Sequence, residues 1–341
     1  MGKLVRLGGW VLGALASTGV AGVAGPSLGA GTVAATPGDV ARKAPECAPL
    51  FKGAGGTAAP VSNLWEAAKT PALASHCHRL QLGVDAFRDQ KYAAAVELAQ
   101  KAELDTPGQA GPWVVRGEAD ARWGRPADAV AAFEKARALN GRALDDAETL
   151  DDYGAALLRL GRLDDARRTY RALLPRVGGP QGLCGMKTEC DAAGLAYMTA
   201  GALALEGGAK ELDEAIAILR EARNKSEPGR DVRRVAALAL ALALDRRGDA
   251  DQGKELAGEV AKTKGVPSEI AGEIVARLFA PEEATAMRAI GLEQTDPAAA
   301  LEAWRSYLAS GGAQRVWASH AREHVARLEK SEKSAPKKKL P

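Results

Sequence analysis

Aromatic side chains make up only 4% of this 341-residue sequence. Sandwiches and barrels draw their cores from aromatic and β-branched residues, so that scarcity argues against a β-sandwich and against one large globular core. Charge of one sign is also missing. The 46 basic and 43 acidic residues leave a formal charge of +3, which makes no case for nucleic acid as a partner. There are four histidines, and no Gly-x-Ser-x-Gly, no phosphate-cradling glycine-rich loop and no His-Glu-x-x-His. No catalytic residue and no cofactor are therefore assigned. No cysteine precedes Cys47, so the lipid-acceptor cysteine of a lipoprotein signal is missing too. What the chain has in abundance is alanine and glycine, with hydrophobic residues at 46%.

Residues 1–35 have the pattern of a secretory signal. Lys3 and Arg6 give a basic start, Leu7 to Val23 is apolar but broken by glycines, and Val33-Ala34-Ala35 or Val23-Ala24-Gly25 offers a cleavage site. An uncleaved membrane anchor is the other reading of the same run. Cleavage predicts a soluble periplasmic or secreted protein with no stable membrane insertion. Residues 36–75 are rich in Pro, Gly and Ala and predict a loosely ordered linker with one short helix, Asn63 to Lys69. There Asn63 and Glu66 fit a capping box, and Trp65 is free to pack on the first repeat helix.

From His76 a unit recurs. Its clearest copy holds Trp113, Gly117, Gly124, Ala129, Phe133 and Ala136. The copy before it holds Gly83, Tyr92, Ala95 and Ala102, closed by Pro107, and the copy after it Gly154, Gly161, Ala166 and Tyr170. Gly83 to Gly117 is 34 residues and Gly117 to Gly154 is 37. Small and aromatic residues at these spacings let two short helices lie antiparallel at close range. Second helices start acidic and end basic, as Asp164-Asp165 before Arg167-Arg168 shows, which suits the helix dipole. The pattern continues more faintly at 194–226, 232–264 and 281–312. Residues 313–330 are amphipathic and predict a capping helix, and Ser331 to Pro341 forms a lysine-rich tail expected to be disordered.

Those residues resemble the tetratricopeptide repeat (TPR) family, whose unit is a 34-residue pair of antiparallel helices. The resemblance implies an all-α fold: a right-handed α-solenoid of about five to six helix-turn-helix units over 76–312, with an insertion at 178–193. It also implies that the first helix of each unit lines a concave groove that binds a partner protein. Carried onto this chain, the groove positions include Leu80, Val84, Phe87 and Arg88, then Val114, Glu118 and Arg122. In later units they include Asp151, Leu158 and Arg159, and finally Arg246. An arginine recurs at one position, at Arg88, Arg122, Arg159 and Arg246, either as a ridge that reads carboxylates or as compensation for helix dipoles. The subfamily that clamps chaperone tails carries lysine and asparagine where this chain has Leu80, Val84, Val114 and Glu118, so that ligand is not expected.

Cys184 and Cys190 lie in the insertion with five residues between them. They can close a disulfide or remain two thiols. Closing it leaves Cys47 to pair with Cys77, one of three possible connectivities. His76-Cys77-His78 cannot all face one ion, because neighbours on a helix point about 100° apart. His320 and His324 share a helix face, but no third ligand is evident, so no metal is assigned. Paired acids at Asp145-Asp146, Asp151-Asp152 and Asp164-Asp165 are read as sitting at helix starts, where capping explains them. The function expected is a non-enzymatic interaction scaffold of the bacterial envelope. Other readings are an assembly factor for a secretion, pilus or gliding machine, and a cell-wall-acting or redox-responsive envelope protein.

Overall fold

A computed structural model describes residues 37–51, 64–179, 182–185, 187–262, 269–312 and 315–334. The signal-like residues 1–35, the middle of the expected linker and the extreme tail lie outside these. Among the described residues there is no strand, and the helices pack as consecutive antiparallel neighbours in an all-α solenoid. Six pairs form it: α4 (Pro71–Arg88) with α5 (Tyr92–Asp105), α6 (Gly111–Arg122) with α7 (Pro126–Leu139), α8 (Ala147–Arg159) with α9 (Leu163–Leu173), α10 (Asp191–Glu206) with α11 (Leu212–Lys225), α12 (Asp231–Arg247) with α13 (Ala250–Lys262), and α15 (Pro281–Leu292) with α16 (Pro297–Ala309). Before them come α1 (Pro37–Lys43), α2 (Ala48–Phe51) and α3 (Leu64–Lys69). A single helix, α14 (Glu269–Leu278), interrupts the pairs, and α17 (Ala318–Ser334) ends the array against α16. Among the described residues no helix is long and apolar enough to cross a membrane.

The repeat residues earn their places by contact. A Cβ added at Gly117 would lie 2.7 Å from the Phe133 ring, and one at Gly154 would lie 2.7 Å from Tyr170. Glycine in the first helix is thus the seat of the ring from the second. The inter-helix turns need glycine for a different reason. Gly124 and Gly161 have φ of +83° and +70°, a region L-residues seldom enter. Asp146 caps α8 by accepting from the Glu148 and Thr149 amides, and Asp164-Asp165 opens α9. Asp151 and Asp152 depart from the expectation. They lie in the second turn of α8, and Asp152 is buried.

Two boundaries also shift. The first repeat helix begins at Pro71, because proline suits a first helical position, where its φ is preset and its missing N–H costs nothing. The part of the linker that is described is not loose. Residues 37–51 are helical, and Val40, Ala44, Cys47 and Leu50 are buried in one cluster with Cys77, Leu80, Val84 and Val115. The capping helix begins at Ala318 and runs to Ser334, four residues past the expected end.

Candidate functional site

The positions expected to line the groove divide into a covered half and an open half. Over α4 and α6, the segment 37–51 occupies the place where the repeat pattern leads one to expect a partner. A Cβ at Gly111 would meet Ala44 at 2.6 Å and Glu46 at 2.7 Å, so the segment rests directly on the start of α6. Lys43 turns inward. Its Nζ is 2.5 Å from Glu118 Oε1 and 3.3 Å from Glu148 Oε2, and Thr149 Oγ1 donates to the same Glu118 oxygen at 2.6 Å. Lys43 and Glu118 are 2% and 1% exposed. Burial alone would lower the Lys43 pKa. The facing carboxylates of Glu118 and Glu148 outweigh it and hold the ammonium charged. Arg88 pairs with Asp39 at 2.8 Å, and Arg42 lies 3.7 Å from Asp146. Cys47 and Cys77 sit at disulfide-bonding distance, with Cα atoms 5.6 Å apart.

This corrects the groove assignment for its first two units. Leu80 and Val84 share the buried cluster with Val40, and Glu118 is spent on Lys43. Phe87 and Val114 pack between helices. The arginine ridge is also reassigned, since each of its four members has a partner within the chain. Arg88 binds Asp39, and Arg122 binds Asp152 at 2.6 Å. Arg159 donates to the Ala121 carbonyl at 2.6 Å, and Arg246 binds Glu283 at 2.6 Å with both side chains buried. Arg88 ties the first pair to α1 and the other three join one helix pair to the next, which neither a partner-reading ridge nor simple dipole compensation would require.

The open half starts at α8. A cavity of about 550 Å³ is lined by Asp151, Leu158 and Arg159, three of the residues expected in the groove, and by Tyr170, Leu195 and Leu203 from α9 and α10. Its far wall was not foreseen. The end of α14 and the turn after it bring Arg277, Leu278 and Phe279 across from α8, and Arg315 joins them from the approach to α17. The spacing of Ile270, Ile274 and Leu278 by fours was the available signal for this helix. Burial raises the Asp151 carboxyl, against the opposing pull of Arg122 and a hydrogen bond from Tyr170. Burial, and then the like charge of Arg277, lowers the Arg159 guanidinium below its usual range. Glu206, raised by burial, accepts a hydrogen bond from the Ala280 backbone. The cavity therefore combines apolar walls with the carboxyls of Asp151 and Glu206 and with Arg159, whose charge is disfavoured by burial and by the neighbouring Arg277.

Elsewhere, Cys184 and Cys190 also lie at disulfide-bonding distance, with Cα atoms 6.1 Å apart. His76 Nδ1 donates to the Ala102 carbonyl at 2.9 Å and its Nε2 lies 3.3 Å from Glu46, so the ring anchors α4 between α5 and the covering segment. On α17, His320 and His324 gain the carboxylate neighbour that the sequence did not reveal, Asp245 of α12.

Solved structures similar to this chain include the following two. The crystal structure of the APC/C hetero-tetramer Cut9-Hcn1 aligns with a TM-score of 0.40 and 14% identity over 77% of this chain. The alignment spans 44% of that protein's length. The Rap conjugation gene regulator of the plasmid pLS20, in complex with the Phr* peptide, aligns with a TM-score of 0.31 and 16% identity, covering 83% of this chain and 80% of that one. No family model matches the chain, and no curated protein does.

Proposed function

We propose that this protein is a non-enzymatic interaction scaffold of the bacterial envelope, and that it holds a partner segment in the cavity between α8, α10 and α14. The observation that carries this reading is the division of the concave face. The chain fills the first half with its own residues and leaves a cavity of about 550 Å³ in the second, within the usual size of a ligand-binding cleft. Leu158, Leu195, Leu203 and Phe279 offer apolar walls, while Arg159 and Arg277 supply positive charge beside the carboxyls of Asp151 and Glu206, and Arg315 is already paired with Glu282 at 3.2 Å. An anion placed among them relieves the Arg159–Arg277 repulsion, so the partner segment carries an acidic side chain or a terminal carboxylate beside apolar residues. Its walls come from stacked helices already packed on their neighbours, so little ordering cost attends binding.

The envelope assignment is supported by the signal-like residues 1–35 and by two cysteine pairs placed to form disulfides. The test is a cross-linking pulldown from the native envelope with the full chain as bait, alongside Arg277→Glu and Leu158→Asp. A specific partner captured by the wild type and lost from both variants, with helical circular dichroism unchanged, is the expected result. Undiminished capture by both variants would move the binding surface away from this cavity.

A further inference from the structure

Asp245, near the end of α12, and His320 and His324, one turn apart on α17, converge on a single point. Asp245 Oδ2 lies 2.6 Å from His320 Nε2 and 2.7 Å from His324 Nε2, and the two Nε2 atoms are 3.2 Å apart. A tetrahedral zinc ion with ligands at about 2.0 Å holds neighbouring ligand atoms about 3.3 Å apart. The edge between the two Nε2 atoms already matches that spacing, each edge to Asp245 must open by about 0.6–0.7 Å to surround one ion, and the three atoms are a nitrogen, nitrogen and oxygen donor set that suits zinc.

The surroundings are organised as ligands of a metal are. Glu293, just past the end of α15, faces His324 Nδ1. It is itself held by Trp304 Nε1, which donates to it at 2.8 Å, and by Arg327 at 2.5 Å. Glu293 on Nδ1 favours the proton on that nitrogen and leaves Nε2 for the shared point, while the Arg327 guanidinium, 2.7 Å from the same Nδ1, is held by the other Glu293 oxygen. The Trp304 ring packs against both imidazoles, at centroid distances of 5.9 and 4.6 Å, and limits their rotation. Asp245 and His324 are buried, whereas the His320 side chain retains 14% exposure, which gives an ion a way in.

We propose that Asp245, His320 and His324 form a binding site for one zinc-class divalent cation, with Glu293 orienting His324. The fourth coordination position is left for water or a group from outside the chain. The ion takes the place of the hydrogen bonds that both Nε2 atoms make to Asp245. The ion joins α12 to α17 and so clips the terminal helix onto the array. This inference is independent of the groove reading.

The test is equilibrium dialysis of the full chain against Zn²⁺ under non-reducing conditions, with cobalt(II) substitution as the spectroscopic reporter. One zinc per chain and visible cobalt bands of a four-coordinate site are expected. His320→Gln, with unchanged circular dichroism, should bind at least about 100-fold more weakly, and Glu293→Gln about 10-fold to 100-fold more weakly. Failure of the wild type to retain zinc at micromolar concentration would overturn the proposal, leaving a histidine–carboxylate network only. Equal retention by the wild type and both variants would overturn it as well, by placing the ion elsewhere.

Discussion

The two ends of the solenoid are closed by the same device built from different chemistry. At the N-terminal end, α1 lays Lys43 onto Glu118 in the interior of the concave face. At the C-terminal end, α17 lays His320 and His324 onto Asp245. In both, a helix from outside the repeat pairs brings a nitrogen base to a buried acid on a first helix. The lysine is charged throughout the physiological range, so the N-terminal closure is permanent. The histidines can yield their bonds to Asp245 to a metal, so the C-terminal closure responds to its surroundings. An acid buried on a first helix is thus an anchoring point for a covering helix, and the identity of the arriving base decides whether the cover is fixed or conditional.

The largest effect that would break this comparison is the loss of Lys43. Lys43→Ala leaves Glu118 buried without its partner and should cost about 3–5 kcal/mol in urea denaturation, with a large part regained in Lys43→Met/Glu118→Met. A cost under about 1 kcal/mol would show that the pair does not hold the N-terminal closure. Next in size is Cys47→Ser/Cys77→Ser, expected to lose about 2–4 kcal/mol. Limited proteolysis should then cut within 37–51 while fragments spanning 191–312 persist. Equal cleavage in both regions would mean the two closures are not separate. A smaller effect comes from Asp152, which burial pushes up to about 7 from an ordinary 3.8 against the pull of Arg122. Across that interval the folded chain holds a proton that the unfolded chain has released. The stability contribution of this group therefore falls as pH rises, by at most about 1.4 kcal/mol per unit. Asp152→Asn should gain on the wild type between about pH 5 and pH 7.5, and a parallel pair of stability curves would refute the assignment. Smallest of all, His320→Gln without added metal should cost only about 1 kcal/mol, because the side chain is partly exposed and His324 retains its own bond to Asp245. A loss as large as that of Lys43→Ala would make the C-terminal closure as permanent as the other.

The repeat pairs were legible in the sequence because their determinants are local. Gly117 meets Phe133 within one unit, and Gly124 turns the chain between them, so spacing alone reports the contact. The closures were not legible, because their partners are distant. Lys43 is 75 residues from Glu118, and His320 is 75 from Asp245. Composition made 36–75 look like a linker, although Pro, Gly and Ala are also what a thin covering segment needs to lie close to helices already packed. The arginine recurrence was real, yet its meaning turned on Asp39, Asp152 and Glu283, none of which shares a unit with the arginine it binds. The pairing of Cys47 with Cys77 was the one sequence clue that the early segment returns to the array.

The anchoring of Lys43 also carries a consequence for the order of assembly. Its contacts reach across 75 residues to Glu118 and 105 to Glu148, whereas each helix pair closes through neighbours in sequence. Local contacts form early and distant ones late. Segment 37–51 leaves the ribosome before the repeats but cannot settle until α6 and α8 exist to receive it, so the first part made is among the last to be seated. During that interval Glu118 and Glu148 remain accessible on a bare concave face. A chaperone that guides this chain would meet Glu118 there, which the finished molecule buries while Glu148 stays partly exposed.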